Sequence, residues 1–203
     1  MIRTENLTFK YDKKPIINRL NLSIDMGECV GIKGRSGSGK TTLLRLIAGL
    51  EETKSGKIFI NNIDVSKLPA YKRNVGFIFQ NFALFPHLSV KKNILFGVKH
   101  LNKSEKEEKM MEMTKLFEID DYLDRYPSEL SQGQRQRVAV SRALICEPDI
   151  LLFDEPFSAL DSDIKEKMRL EIKNILQRVK ITSLIVSHDD EDLNTICNRV
   201  INI

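Results

Sequence analysis

"GRSGSGKTT", from Gly34 to Thr42, is the stretch on which the reading of this chain turns. It matches the pattern G-x-x-x-x-G-K-[ST], follows the apolar run "ECVGIKG" (Glu28–Gly34) and leads into a helical pattern from Lys40 to Leu50. Gly34, Gly37 and Gly39 allow the backbone to curl until successive N–H groups point inward at phosphate oxygens. The helix N-terminus near Lys40 adds the positive end of its dipole at the same place. Lys40 supplies a point charge for the outer phosphates of a nucleotide, the Thr41 hydroxyl suits Mg2+, and Thr42 is a further phosphate donor. Arg35, Ser36 and Ser38 complete the loop.

On either side of this loop, short β-type runs alternate with helical ones. "ENLTFKY" (Glu5–Tyr11), "LNLSID" (Leu20–Asp25), "GKIFINN" (Gly56–Asn62) and "NVGFIFQ" (Asn74–Gln80) read as strands, the last apolar enough to be buried. From Val90 to Cys146 helical patterns dominate, including the charged "NKSEKEEKMMEMTKLF". "DILLFD" (Asp149–Asp154) and "TSLIVSH" (Thr182–His188) return as apolar strands around a long amphipathic helix from Asp161 to Lys180, and "RVINI" ends the sequence as a strand with no element after it. There is no internal repeat, low-complexity tract or long linker. The expectation is a single α/β domain over 1–203: a P-loop NTPase core with an N-terminal antiparallel β-subdomain (1–86 and 147–203) and an inserted α-helical subdomain (87–146), without a C-terminal regulatory domain.

The run "ILLFDEP" (Ile150–Pro156) carries a strand into the core and releases two carboxylates where it ends. Neighbours on a strand point to opposite faces, so Asp154 and Glu155 are expected to differ in role. Asp154 is suited to hold Mg2+ through its water shell, and Glu155 to orient and partly deprotonate an attacking water. A second glycine-bearing turn that opens a helix lies in "ELSQGQRQRVAVSRAL" (Glu129–Leu144), where Ser131 has the makings of an N-cap.

Composition bounds the rest. With 203 residues, 41% hydrophobic and 30% charged, the chain can bury a substantial core. The net charge of +4 is spread among interspersed Lys, Arg, Asp and Glu, which reads as a solvated surface rather than a nucleic-acid footprint. The three cysteines, Cys29, Cys146 and Cys197, have no paired spacing; they exclude a disulfide framework or a zinc set and point to a reducing cytoplasm. No signal core is present, and no apolar run approaches the ~18 residues of a membrane span, so a membrane role is expected to be peripheral. His87 and His100 lie in no motif and read as surface or packing residues.

With its P-loop, "LSQGQ", "ILLFDEP" and "IVSHD" in this order, the chain resembles the ATP-binding cassette (ABC) family of ATPases over essentially its whole length. The resemblance implies ATP hydrolysis with Mg2+. "LSQGQ" (Leu130–Gln134) looks like that family's signature, Leu-Ser-Gly-Gly-Gln, with Gln132 in place of the first glycine. In the family, the signature of one cassette closes over the γ-phosphate held by the P-loop of another. Ser131, Gln132, Gly133 and Gln134 are then a half-site for a partner's ATP, and a homodimer on ATP binding is implied. Tyr11 matches the aromatic that stacks on adenine, and Gln80 the glutamine that senses Mg2+ and the attacking water. Asp161, in "SALD" (Ser158–Asp161), matches the loop linking the two sites of the dimer, and His188 the histidine that contacts the γ-phosphate. The implied catalytic set is Glu155, His188 and Gln80; the implied Mg2+ set is Thr41, Gln80 and Asp154.

"QNFALFPHLSVKKNILFGV" (Gln80–Val98) resembles the corresponding stretch of importers for oxyanions such as molybdate or sulfate, for ferric iron and for polyamines. The implied role is the ATP-hydrolysing motor of an importer, cytoplasmic and peripheral on the inner face of the membrane. Its partners would be two integral-membrane permease subunits and, indirectly, a solute-binding protein; among solutes an oxyanion, molybdate or tungstate first, is favoured. Some of Phe82, Leu84, Phe85 and Pro86 are expected to stay exposed and line a groove for a permease helix. The competing readings are an exporter cassette and a non-transport cassette ATPase of the DNA-repair or translation-factor class. The first of these non-transport classes normally carries a long coiled-coil insertion and the second two cassettes in one chain. A GTPase is disfavoured because "NKSE" at Asn102 fails the last position of N-K-x-D.

Overall fold

The computed structural model of the chain describes residues 1–11, 15–158 and 160–203, without the side chain of Asp163. Strand β1 (Ile2–Phe9) alternates buried and partly exposed residues, as a strand with one covered face must. It pairs antiparallel with β2 (Ile17–Ile24) and β4 (Ser55–Ile60), and β5 (Ile63–Asp64) closes a four-stranded sheet of order β2-β1-β4-β5. The β4–β5 turn has Asn61 and Asn62 at φ 50° and 65°, the left-handed pair that asparagine tolerates in a two-residue hairpin. β1 starts at Ile2, which pairs with both Ile24 and Ile60; Tyr11 falls beyond the strand's end.

The second sheet is built from β3 (Cys29–Lys33), β6 (Val75–Ile78), β7 (Ile150–Asp154), β8 (Thr182–Val186) and β9 (Arg199–Asn202), all parallel, in the order β6-β7-β8-β3-β9. The apolar runs of β3, β7 and β8 fit a sheet covered on both faces. Val30, Ile32, Ile150, Leu152, Leu184 and Val186 face a core shared with α1 (Lys40–Ala48) and the antiparallel sheet. Leu151, Phe153 and Ile185 face the opposite core, shared with α2 (Val90–Ile94), α3 (Lys103–Phe117), α4 (Gln132–Leu144), α5 (Ser162–Val179) and α6 (Asp190–Ile196). Among these helices α4 lies against β6, and α2 and α3 pack against α4. Helix α3 opens on a capping box in which Asn102 Oδ1 accepts from Glu105 N at 3.0 Å and Glu105 returns the bond to Asn102 N.

The acidic stretch "DEDLNTI", unassigned in the sequence analysis, forms α6 because Leu193 and Ile196 dock into the core. "RVINI" forms a strand, as read from the sequence: it is the edge strand beside β3, and Ile203 N donates to Lys33 O at 3.0 Å. No described helix is long and apolar enough to cross a membrane.

Arg73 locks the end of α1. Its guanidinium is buried and donates to Leu46 O (2.7 Å), Ile47 O (3.1 Å), Leu68 O (2.8 Å) and Ser66 O (3.3 Å), so it satisfies carbonyls that the helix end leaves without intrahelical donors. Gly49, at φ 76°, terminates the helix where a Cβ would come within 2.5 Å of Arg73 Nε. Arg73→Met keeps the stem but removes the buried donor from these carbonyls, of which Leu46 O keeps a backbone partner, Gly49 N at 3.2 Å. It is expected to lower unfolding free energy by about 2–4 kcal/mol, read by urea denaturation.

Candidate functional site

The phosphate loop runs from the end of β3 to the first turn of α1. Gly39 is the N-cap at φ 98°, and a Cβ there would lie 2.6 Å from Ile16 Cγ2, so only glycine fits. Gly37, at φ 79°, faces open space. Lys40 reaches back over the loop, its Nζ donating to Gly34 O (2.9 Å) and Arg35 O (3.1 Å). Ile16, Ser36, Gly37, Gly39, Lys40, Thr41, Thr42 and Glu155 line a cavity of about 280 Å3 over the helix N-terminus. Ser38 Oγ is buried beside it with no hydrogen-bond partner among the described residues, as suits a donor kept for a phosphate oxygen.

Thr41 Oγ1 donates to Asp154 Oδ1 at 2.8 Å, which joins the start of α1 to the end of β7. A hydroxyl and a nearly buried carboxylate in contact are hard oxygen donors of the kind Mg2+ takes. No group of three or more His, Cys, Asp or Glu converges among the described residues, and Mg2+ beside a nucleotide asks for only one or two carboxylates. Gln80 is exposed and lies just past β6; because Ile78 pairs with Phe153, it leaves the sheet at the same end as Asp154.

Glu155 corrects one expectation. The strand stops at Asp154, and Glu155 turns away at φ 50°, a left-handed conformation costing a non-glycine residue about 1–2 kcal/mol. The two carboxylates diverge through this turn rather than by strand alternation. Bonds from Glu155 N to Val186 O (2.9 Å) and from Ser158 N to Glu155 O (3.2 Å) hold it. The turn brings Glu155 Oε2 to 2.7 Å from His188 Nδ1, at the end of β8, while Glu155 also lines the phosphate cavity. His188 is otherwise exposed.

The remaining residues sit farther out. Tyr11 is half exposed, edge-on to Phe9 at 4.9 Å, and its hydroxyl lies 3.3 Å from Glu51 Oε1. Ser131 is the N-cap of α4 in a reciprocal box, its Oγ accepting from Gln134 N (3.3 Å) and its N donating to Gln134 Oε1 (2.9 Å). None of Ser131, Gln132, Gly133 and Gln134 lines the phosphate cavity of their own chain. Gly133 is buried, and a Cβ there would meet Met168 Sδ at 3.5 Å and Ile164 at 3.6 Å, so its side-chain direction faces α5 rather than solvent. Its N–H still belongs to the unpaired first turn of α4. Asp161 is the exposed N-cap of α5; Ala159 of "SALD" lies outside the described residues.

Of the apolar residues after Gln80, Phe82 is buried, which removes it from any exposed groove, while Leu84 and Phe85 are half-buried and Pro86 is exposed. Phe85 stacks on Phe96 with ring centroids 4.3 Å apart. Arg142, near the end of α4, donates to Phe82 O (2.9 Å) and Ala83 O (2.8 Å), two residues at positive φ. The sequence reading missed this tie. A lone arginine late in an amphipathic helix carries no local sign of the carbonyls it grips.

The sequence pattern of the ABC transporter family matches residues 17–158. Over 98% of its length the chain is 44% identical to the sulfate/thiosulfate import ATP-binding protein CysA of Pectobacterium atrosepticum, of which it spans 62%. It is 45% identical, again over 98% of its length, to the Fe(3+) ions import ATP-binding protein FbpC of Fusobacterium nucleatum subsp. nucleatum, of which it spans 54%. The chain thus covers little more than half the length of these relatives. The dimeric post-hydrolysis structure of the ATP-binding cassette MJ0796, bound to ADP and Pi, superposes over 100% of this chain and 94% of that one, with a TM-score of 0.84 and 32% identity. A phosphate loop at the head of α1, the Thr41–Asp154 contact beside it and a sequence match across most of the chain converge: this protein belongs to the ABC transporter family.

Proposed function

We propose that the chain is the ATP-hydrolysing motor of an importer, and that it works as a homodimer closing on two ATP molecules. The observation carrying this reading is the contact of Glu155 with His188 at the rim of a phosphate cavity that Lys40 and Thr41 line. The loop N–H groups, Lys40 and the α1 dipole bind the phosphates of ATP. Thr41, Asp154 and Gln80 would hold Mg2+, which when bound neutralises charge on the β- and γ-phosphates. Glu155 accepts a proton from the water that attacks the γ-phosphate, and His188 holds that carboxylate in place. Tyr11 stacks on adenine, and Asp161 lies at the seam between cassettes. The signature residues lie outside their own chain's cavity, which supports their use on a partner's ATP. In this reading 87–146 is a helical lobe that carries the signature, and the rest of the chain holds the nucleotide.

On the permease side, Leu84, Phe85 and Pro86 form the docking edge at the inner face of the membrane. The relatives are named for sulfate/thiosulfate and Fe(3+) import, which supports import and leaves an oxyanion as a fitting cargo. Within that class, molybdate or tungstate is the narrower reading drawn from the wording of Gln80–Val98. Identifying the membrane proteins that co-purify with the chain tests the cargo, because cargo selection belongs to those subunits.

Glu155→Gln is expected to lower kcat by on the order of 10²-fold while ATP still binds, leaving an ATP-held dimer visible by size-exclusion chromatography. Turnover at the wild-type rate in this variant would remove Glu155 from the chemistry.

Gln132→Asp tests the half-site. The position is exposed in the first turn of α4, where a carboxylate favours the helix by about 0.3–1 kcal/mol, so the monomer should be as stable as before and bind ATP unchanged. ATP-driven dimerisation should be lost, because the new charge opposes the partner's γ-phosphate. Undiminished dimerisation would place the signature elsewhere.

Replacing Leu84 and Phe85 together with glutamate should leave ATP affinity intact and abolish association with permease-containing membranes in a sedimentation assay. Loss of the folded state would instead assign both residues to packing between α2 and α4.

A further inference from the structure

His188 is exposed, and a side chain with one hydrogen bond at the mouth of a cavity needs its backbone held from behind. The residues on either side of it are held. Ser187 Oγ donates to Asp192 Oδ2 at 2.6 Å, and Asp189 N donates to Ser187 Oγ at 3.1 Å. Both carboxylates are gripped by α5. Arg169 Nε donates to Asp192 Oδ1 at 2.6 Å, its Nη2 to Asp189 Oδ2 at 3.0 Å, and its Nη1 pairs with Glu191 Oε2 at 2.8 Å. Lys165, one turn earlier, pairs with Asp189 and lies 3.6 Å from Asp192 Oδ1. Arg169 and Asp192 are nearly inaccessible, with side chains 5% and 2% exposed.

A buried ion pair is seldom more stabilising than apolar residues of the same volume; what it adds is direction. All three nitrogens of the Arg169 fork are used, each on a different carboxylate of the segment 189–192, a geometry that a point charge would not reproduce. The same helix begins directly after Asp161, whose carbonyl accepts from Lys165 N at 2.9 Å. The Lys165 ammonium also holds the Asp189 carboxyl below the usual carboxylate range, as a persistent pair should.

We propose that Arg169 is a positioning residue for His188: through Asp192 and Asp189 it fixes the backbone on both sides of the imidazole and so sets the His188–Glu155 contact from helix α5. The catalytic consequence rests on the functional reading given above; the positional claim does not. Displacement of a reacting group by fractions of an ångström is enough to cost an order of magnitude in rate. Because the guanidinium touches neither the phosphate cavity nor Glu155, nucleotide affinity should be spared.

The test is Arg169→Met, read by long-range 1H–15N NMR of the histidine rings. The chain has three histidines, so His188 is assigned by a single His188→Ala spectrum. In the folded variant the ring signals of His188 should move toward those of a free imidazole, while His87 and His100 stay in place. ATP affinity should hold within about 2-fold and kcat fall by about 10-fold or more. If the variant does not fold, Asp192→Asn keeps the shape, weakens the same tie and is read in the same way. Unmoved His188 signals in the folded variant would overturn the proposal, whatever happens to the rate. Moved signals with an unchanged kcat would uphold the positional role and count against His188 acting in hydrolysis, so the two failures are told apart.

Discussion

Along β7, every residue from Ile150 to Phe153 is fully buried, and neighbours go to opposite cores: Ile150 and Leu152 toward α1, Leu151 and Phe153 toward the helices of the other face. A sheet covered on both sides has no solvated face, so charged groups that must meet solvent or a ligand belong where its strands end. The phosphate loop follows β3, Asp154 ends β7 and Glu155 follows it, His188 follows β8 and Gln80 follows β6, all at the carboxyl edge of one parallel sheet. The crevice at that edge is where open α/β sheets bind ligands. Energetics decides what holds Asp154 in register. Truncating one buried Leu or Ile of such a strand costs about 2–5 kcal/mol and the strand has three, Ile150, Leu151 and Leu152, whereas a single hydrogen bond to a carboxylate such as Thr41–Asp154 contributes about 1.5–3 kcal/mol. The sheet places the carboxylate, and the threonine then finds it.

Glu155 is the exception to this regularity, and it is where the chain bends its own rules. A glutamate at φ 50° is unfavourable by itself, and the surrounding backbone bonds to Val186 and Ser158 impose it. The gain is placement. Glu155 reaches the cavity rim and His188 together, which a continued strand would not allow.

Three arginines tie separate pieces of the molecule to the site's frame. Arg73 closes the end of α1, Arg142 joins α4 to the carbonyls after Gln80, and Arg169 joins α5 to the segment around His188. In each case the planar fork bonds several oxygens at once, as a buried cation requires if desolvation is to be offset. Burial pulls the pKa of Arg73 and Arg142, whose hydrogen bonds go to backbone carbonyls, below the usual value. For Arg169 burial acts in the same direction, but its bonds to Asp192 and Glu191 and the charge of Asp189 prevail and raise it.

The residues legible in the sequence by itself are those whose chemistry is local. Gly37, Gly39, Lys40 and Thr41 lie within one turn and one helix start, the four apolar residues before Asp154 declare a buried strand end, and Ser131 with Gln134 forms a cap within one helical turn. The α/β class followed from the same short-range signals. Tertiary structure alone decided that Glu155 leaves its strand, that Gly133 turns its side-chain direction onto Met168, that Phe82 is buried, and that "DEDLNTI" is a helix. It alone joined His188 to Glu155, 33 residues away, and Arg169 to Asp192, 23 residues away. Spacing along the chain encodes what a turn or a helix brings together. Which side chains meet across a sheet edge depends on how whole elements pack against two cores, and no single stretch of residues carries that information.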